Sequence, residues 1–253
     1  MSSRIVSTID WKSEGSVGKR YTDLEVMRDI DNAGLVDIWR TSPAVPVFNL
    51  SASQLLFEEA LITQIPDVKW HLYPIERDAD VYRELSSNAN EFLSHMKKTV
   101  NKQHVRFLKH HQIHLQPKPI SVEEYFASMP NVIFKLIVLD YMGTWSQEKE
   151  ADLASIFASQ CFDDSILVLT ISSARGNRNT TERLLQFNHT NTLFGAPLGN
   201  PLIYRAKTQG LCGLIVSLAN AMGIQCNLLG FYPYKAKKDI EYKFMFQIRR
   251  THG

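Results

Sequence analysis

Two acids in this chain sit where apolar runs stop. Residues 133–145 read IFKLIVLDYMGTW, a nearly unbroken apolar stretch that ends on Asp140 and passes into Tyr141, Gly143, Thr144 and Trp145. Residues 69–75, KWHLYPI, end in the same way on Glu76, Arg77 and Asp78. A carboxylate in such a place can accept hydrogen bonds from hydroxyl or amine groups, and a neighbouring aromatic can orient a flat or cationic ligand. Runs this apolar suit strands buried on both faces of a parallel sheet, and open parallel sheets bind ligands at the carboxyl ends of their strands. Taken alone, Asp140 is better explained as a cap for the helix that begins near Ser146. The surrounding pattern decides whether it is alone.

A second chemical signal is basic. No Asp or Glu occurs from residue 92 to 122, while Lys97, Lys98, Lys102, Arg106 and Lys109 fall within that stretch. Spread over so many residues, the imbalance predicts a surface that faces a polyanion, a nucleic acid in the first instance. The alternative is a solvated face. Arg175, Arg178 and Arg183 lie on a long polar loop, residues 172–200, and Arg175 and Arg178 join the expected nucleic-acid contacts. His110, His111 and His114 have no Cys or carboxylate partner nearby, so exposed histidines are expected and no metal.

Composition sets bounds on these readings. The 253 residues are 44% hydrophobic and 21% charged, as in an ordinary globular protein, and the net charge of +2 leaves any basic surface local. Cys161, Cys212 and Cys226 are odd in number and widely spaced, which predicts neither a disulfide framework nor a zinc site and suits a reducing compartment. The opening residues lack the apolar core of a signal peptide, and no stretch reaches membrane-spanning length, so the expectation is an intracellular protein, cytoplasmic or nuclear.

The elements that would position these residues alternate. Residues 1–20 read as a flexible polar arm, and 21–253 as one domain. A helix over 21–40, broken near Gly34, comes first. Strands follow at 45–50, 69–75, 112–116, 134–139 and 165–171, with helices at 54–64, 79–96, 121–129 and 147–161 between them. Pro201 and Gly223 bracket a long helix over 202–222. Residues 226–234 and 241–249 then alternate as an antiparallel pair. Repeated strand–helix units require a mostly parallel sheet with helices on both faces.

This alternation, ending in a long helix and an antiparallel pair, resembles the class I S-adenosylmethionine-dependent methyltransferase fold: α/β, Rossmann-like, with one antiparallel C-terminal strand. The Leu50-Ser51 loop with the later Glu76-Arg77-Asp78 and Leu139-Asp140-Tyr141 is similar to some viral and phage-type methyltransferase-like proteins. The resemblance implies S-adenosylmethionine as cofactor. Its methionine part would lie at Leu50, Ser51, Ala52 and Ser53, with Glu58 one helical turn on. Its ribose would lie at Glu76 beside Arg77, and its adenine near the loop after Leu115 that holds Pro117. Asp140 and Tyr141 would stand at the transfer site, as the catalytic residues. A ribose-methylating enzyme would use a Lys-Asp-Lys-Glu set, loosely matched by Lys19, Asp140, Arg175 and Glu241. The sequence departs from the family in two respects: its first loop is normally glycine-rich, and residues 45–64 contain no glycine, while Asp140 and Tyr141 stand without the two prolines of the amino-methylating motif D/N-P-P-Y/F, which leaves the target chemistry unassigned. Two functions therefore follow: a methyltransferase acting on a nucleic acid, or a catalytically inactive form of the fold serving as a nucleic-acid-binding or assembly subunit with a protein partner.

Overall fold

A computed structural model describes residues 14–50, 55–99, 104–128, 131–141, 143–172, 182–184, 186, 201–236 and 239–251. Seven strands form one sheet: β1 (Val45–Leu50), β2 (Trp70–Ile75), β3 (Gln112–Ile113), β4 (Leu136–Asp140), β5 (Asp164–Ser172), β6 (Ile224–Ala236) and β7 (Asp239–Arg250). Their spatial order is β3-β2-β1-β4-β5-β7-β6. The first five run parallel, and β7 is antiparallel to both its neighbours. The expected neighbours β2, β1 and β4 are adjacent and parallel, and β7 is the one reversed strand.

The central strands are apolar on both sides because both sides are covered. Along β4, Leu136 and Val138 join one core layer, while Ile137 and Leu139 join the other. The first layer is closed by α1 (Glu14–Asn32), α2 (Leu35–Arg40), α3 (Leu56–Gln64) and α4 (Ala79–Thr99). The second is closed by α5 (Val122–Ser128), α6 (Gln147–Ala158) and α7 (Pro201–Ala221). Gly34 breaks the first helical stretch with a φ of 73°, and Gly223 ends α7 with a φ of 69°, both in the left-handed region that glycine enters without penalty.

Local signals account for the helix starts near the strand ends. The Ser146 hydroxyl caps α6 by accepting from the Lys149 amide, 3.4 Å away. Ser121 and Glu124 exchange hydrogen bonds at the start of α5, a capping box. Three expectations need correction. The helix read as starting at residue 21 begins at Glu14, inside the supposed polar arm, because Gly15, Ser16 and Gly18 read as loop residues and Val17 is the one apolar residue among them, so no helical period shows. The third strand is only two residues long, since it has a single neighbour at the sheet edge. His111 is buried rather than exposed, its Nδ1 accepting from the Trp70 amide at 3.4 Å. Among the described residues no helix is long and apolar enough to cross a membrane.

Candidate active site

Glu76 and Asp140 stand at the same end of the sheet, the carboxyl ends of β2 and β4, with β1 between them. Glu76 Oε1 accepts from the Arg77 and Asp78 amides at 2.7 and 2.8 Å, leaving Oε2 outside these two bonds. The loop after β3 returns beside it, with the Ile120 amide on the Glu76 carbonyl at 2.9 Å. Leu50 ends β1, and Glu58 is buried in the first turn of α3. Ser51, Ala52 and Ser53 lie outside the described residues. The next residue but one, Leu55, is buried and holds a left-handed backbone, φ 51° and ψ 38°. A leucine in that conformation costs about 1 kcal/mol or more that a glycine would not, the kind of strain that gathers at functional loops.

Around Asp140 the register builds a charged row. Asp140 pairs in register with Thr170 on β5, Thr170 with Lys243 on β7, and Lys243 with Tyr232 on β6. Side chains in such a row share one face of the sheet. Helix α1 lies over that face and adds Lys19 and Asp23, four residues apart and hence on one side of the helix. The Lys19 ammonium donates to Asp140 Oδ2, and the Lys243 ammonium donates to Asp23 Oδ1. Both side chains of the second pair are only 2% exposed, whereas those of Lys19 and Asp140 are 24% and 20% exposed. The inner pair is therefore sealed, and the outer pair reaches solvent.

Two residue pairs further along, and so on the same face, Glu241 faces Tyr234 in register and accepts from its hydroxyl. The Lys243 ammonium lies 5.8 Å from the centre of the Tyr234 ring. Burial works against the charged form of Asp140, but the Lys19 and Lys243 ammoniums outweigh it and hold the carboxyl below its ordinary value. For Lys19, burial alone would lower the amine; Asp140, Asp23 and Glu241 together raise it, so it stays cationic. Burial raises the Tyr234 hydroxyl, and Asp140 and Glu241 push it further in the same direction.

The loop after β4 is tied down on both sides. Ser172 donates its amide to the Gly143 carbonyl at 3.0 Å, and Tyr141 donates its amide to Thr170 at 3.3 Å. Tyr141 is buried, and its hydroxyl donates to Asp152 at 2.9 Å, so its ring is part of the core layer rather than an open stacking surface. The Lys149 amine lies 5.5 Å from the centre of that ring and is lowered to about 8, by burial first and then by Arg77. Arg77 itself pairs with Glu148 at the start of α6.

The structure thus brings Lys19, Asp140 and Glu241 together and places Glu76 across β1 from them. Arg175, Arg178 and Lys102 lie outside the described residues. Pro117 is exposed on the loop after β3. Lys97, Lys98, Arg106 and Lys109 are exposed, but α4 leads from the carboxyl end of β2 to the amino end of β3. They therefore sit at the end of the sheet opposite Glu76 and Asp140. Asp23, Lys243 and Tyr234 escaped the sequence reading; Lys243 alternates with Tyr242 and Phe244, which makes it look solvated, and only Met245 on the same face hints that something covers it.

The strand order, the reversed β7 and the helices on both faces define the class I S-adenosylmethionine-dependent methyltransferase fold. Among solved structures, a provisionally assigned transferase from Pyrococcus horikoshii is similar over 97% of this chain and 67% of its own length, with 10% identity and a TM-score of 0.53. Trm1 from Pyrococcus horikoshii, solved with S-adenosyl-L-methionine, is similar over 91% of this chain at 13% identity and a TM-score of 0.51. The chain spans 56% of the length of Trm1. No protein-family model and no curated protein matches the sequence.

Proposed function

We propose that this chain is an S-adenosylmethionine-dependent methyltransferase acting on a nucleic acid. The observation that carries the reading is the placement of Glu76 and Asp140 at the carboxyl ends of β2 and β4, on either side of β1, in a sheet of methyltransferase order. Glu76 Oε2 suits the ribose hydroxyls of the cofactor, which a carboxylate accepts. Leu50 and the Ser51-Ala52-Ser53 loop suit its methionine part, small side chains and a helix start being favourable for a carboxylate. S-adenosylmethionine, when bound, supplies an electrophilic methyl group.

The acceptor side is then the work of Lys19, Asp140 and Glu241. A fixed ammonium lowers the pKa of a hydroxyl placed beside it, and a carboxylate next to it can take up the proton. That arrangement favours a hydroxyl acceptor, of which the ribose hydroxyl of RNA is the fitting example. A second reading, a non-catalytic subunit that binds nucleic acid or a protein partner, is favoured by the glycine-free first loop.

Transfer of a labelled methyl group from S-adenosylmethionine to RNA and to DNA separates the two. On the first reading RNA is labelled, and Asp140→Asn abolishes labelling while leaving cofactor binding intact. Absence of labelling with either nucleic acid, with no cofactor bound, would overturn the first, and nucleic-acid binding retained by that protein would support the second.

A further inference from the structure

The sealed pair Asp23–Lys243 is an expensive thing to build. Burying two charges costs more in lost hydration than their attraction reliably returns, and well-packed apolar residues often replace such pairs without loss. Around it lie Met27, Met245 and other fully buried apolar side chains, so an apolar pair would fit the layer. Its position gives it a different use. Lys243 stands in the same register row as Asp140, separated from it only by Thr170, and Asp23 stands one helical turn from Lys19. The two inner charges are thus the next neighbours of the two outer ones, with alternating sign.

We propose that Asp23 and Lys243 are a positioning pair for Asp140: anchored on α1 and β7, they hold the Lys19 ammonium on Asp140 Oδ2 and so fix the acid on which the acceptor site is built. The inference rests on the reading of Asp140 as the acceptor acid. The ion pair ties α1 to β7, beside the packing of α1 on β6 and the Tyr232 hydroxyl on Asp29, and so helps hold the helix turn that presents Lys19 to Asp140. Asp23 supplies Lys19 with a second anion behind it, so the ammonium is held between two carboxylates. Lys243 supplies Asp140 with a second cation. The groups facing Asp140 are then Lys19 and Asp23 from α1, the Thr170 hydroxyl from β5, Lys243 and Glu241 from β7, and Tyr234 from β6.

The test removes both inner charges together, Asp23→Leu with Lys243→Met, which leaves the net charge unchanged. The Asp140 carboxyl is followed by carbon-13 NMR titration, assigned with Asp140→Asn. Losing Lys243 removes a cation from Asp140, while losing Asp23 removes an anion that couples to it more weakly. The Asp140 carboxyl should therefore titrate at higher pH than in the wild type. The acid limb of methyl transfer should move up by the same amount, while affinity for S-adenosylmethionine stays within about twofold. Should the double variant not fold, the near-isosteric neutral pair Asp23→Asn with Lys243→Gln carries the same test with the same sign. An unchanged Asp140 titration in a folded variant would overturn the inference and leave the pair as core. Because the titration needs no activity, a protein that transfers no methyl group but shows the shift would refute the enzyme reading and keep the positioning pair.

Discussion

Lys19 in α1 is ion-paired with Asp140 at the end of β4, across 121 residues of sequence. The contact joins the helix outside the strand–helix repeat to the strand end on which the site is built. It makes α1 part of the site rather than an appendage.

Replacing Lys19 with Met tests that contact. Asp140 has a depressed carboxyl, so its contribution to stability is present above the unfolded value and lost as pH falls through the folded one. Without Lys19 the folded value rises, and acid unfolding should begin at higher pH. The pair is partly exposed, so the cost at neutral pH should be about 1 kcal/mol. Urea unfolding across pH 3–7 (about that range) measures both effects, and an unchanged acid transition would contradict them.

His111 predicts a separate pH dependence. Burial pushes its imidazole down to about 4, and His110 adds to the shift. A base with a lowered folded value binds fewer protons folded than unfolded. Stability therefore falls as pH drops from the ordinary 6.5 to about 4, by about 3 kcal/mol in all. His111→Phe should flatten this limb in denaturation measured at successive pH values, whereas His110→Phe should leave most of it.

Phe134 tests the second core layer. Its ring lies 5.4 Å from Tyr73, 5.7 Å from Phe48 and 5.9 Å from Phe126, between the sheet and α5. Phe134→Ala should cost about 3–5 kcal/mol in urea unfolding. A loss below about 1 kcal/mol would mean that the aromatic cluster is not the packed unit described.

The sheet was legible in the sequence because its central strands are buried on both faces and read as apolar runs between turn residues. β1 was placed to the residue, and β4 and β5 to within one or two at each end. Asp140 and Glu76 were legible for the same reason, as the polar residues at which those runs stop. Lys243 and Asp23 were not. A lysine alternating with aromatics on a terminal strand implies an open face, and only the packing of α1 on that face reverses the inference. His111 escaped for the same cause: its burial depends on a neighbour, Trp70, 41 residues away.

The basic segment gives a prediction independent of the site. If it holds a polyanion, changing Lys102, Arg106 and Lys109 together to Ala should flatten the salt dependence of nucleic-acid binding, because each neutralised phosphate releases a counterion. Cofactor affinity should not change, since Arg106 and Lys109 lie at the opposite end of the sheet from Glu76. An unaltered salt slope would mark these residues as a solvated face.

Calorimetric titration with S-adenosylmethionine addresses the central claim, a cofactor site across the ends of β2, β1 and β4. The account predicts a single site of micromolar affinity, weakened about tenfold or more, or about 1.4 kcal/mol, by Glu76→Ala. It predicts little change on Lys102→Ala. The absence of heat at any accessible concentration, or equal binding by the wild type and Glu76→Ala, would contradict it.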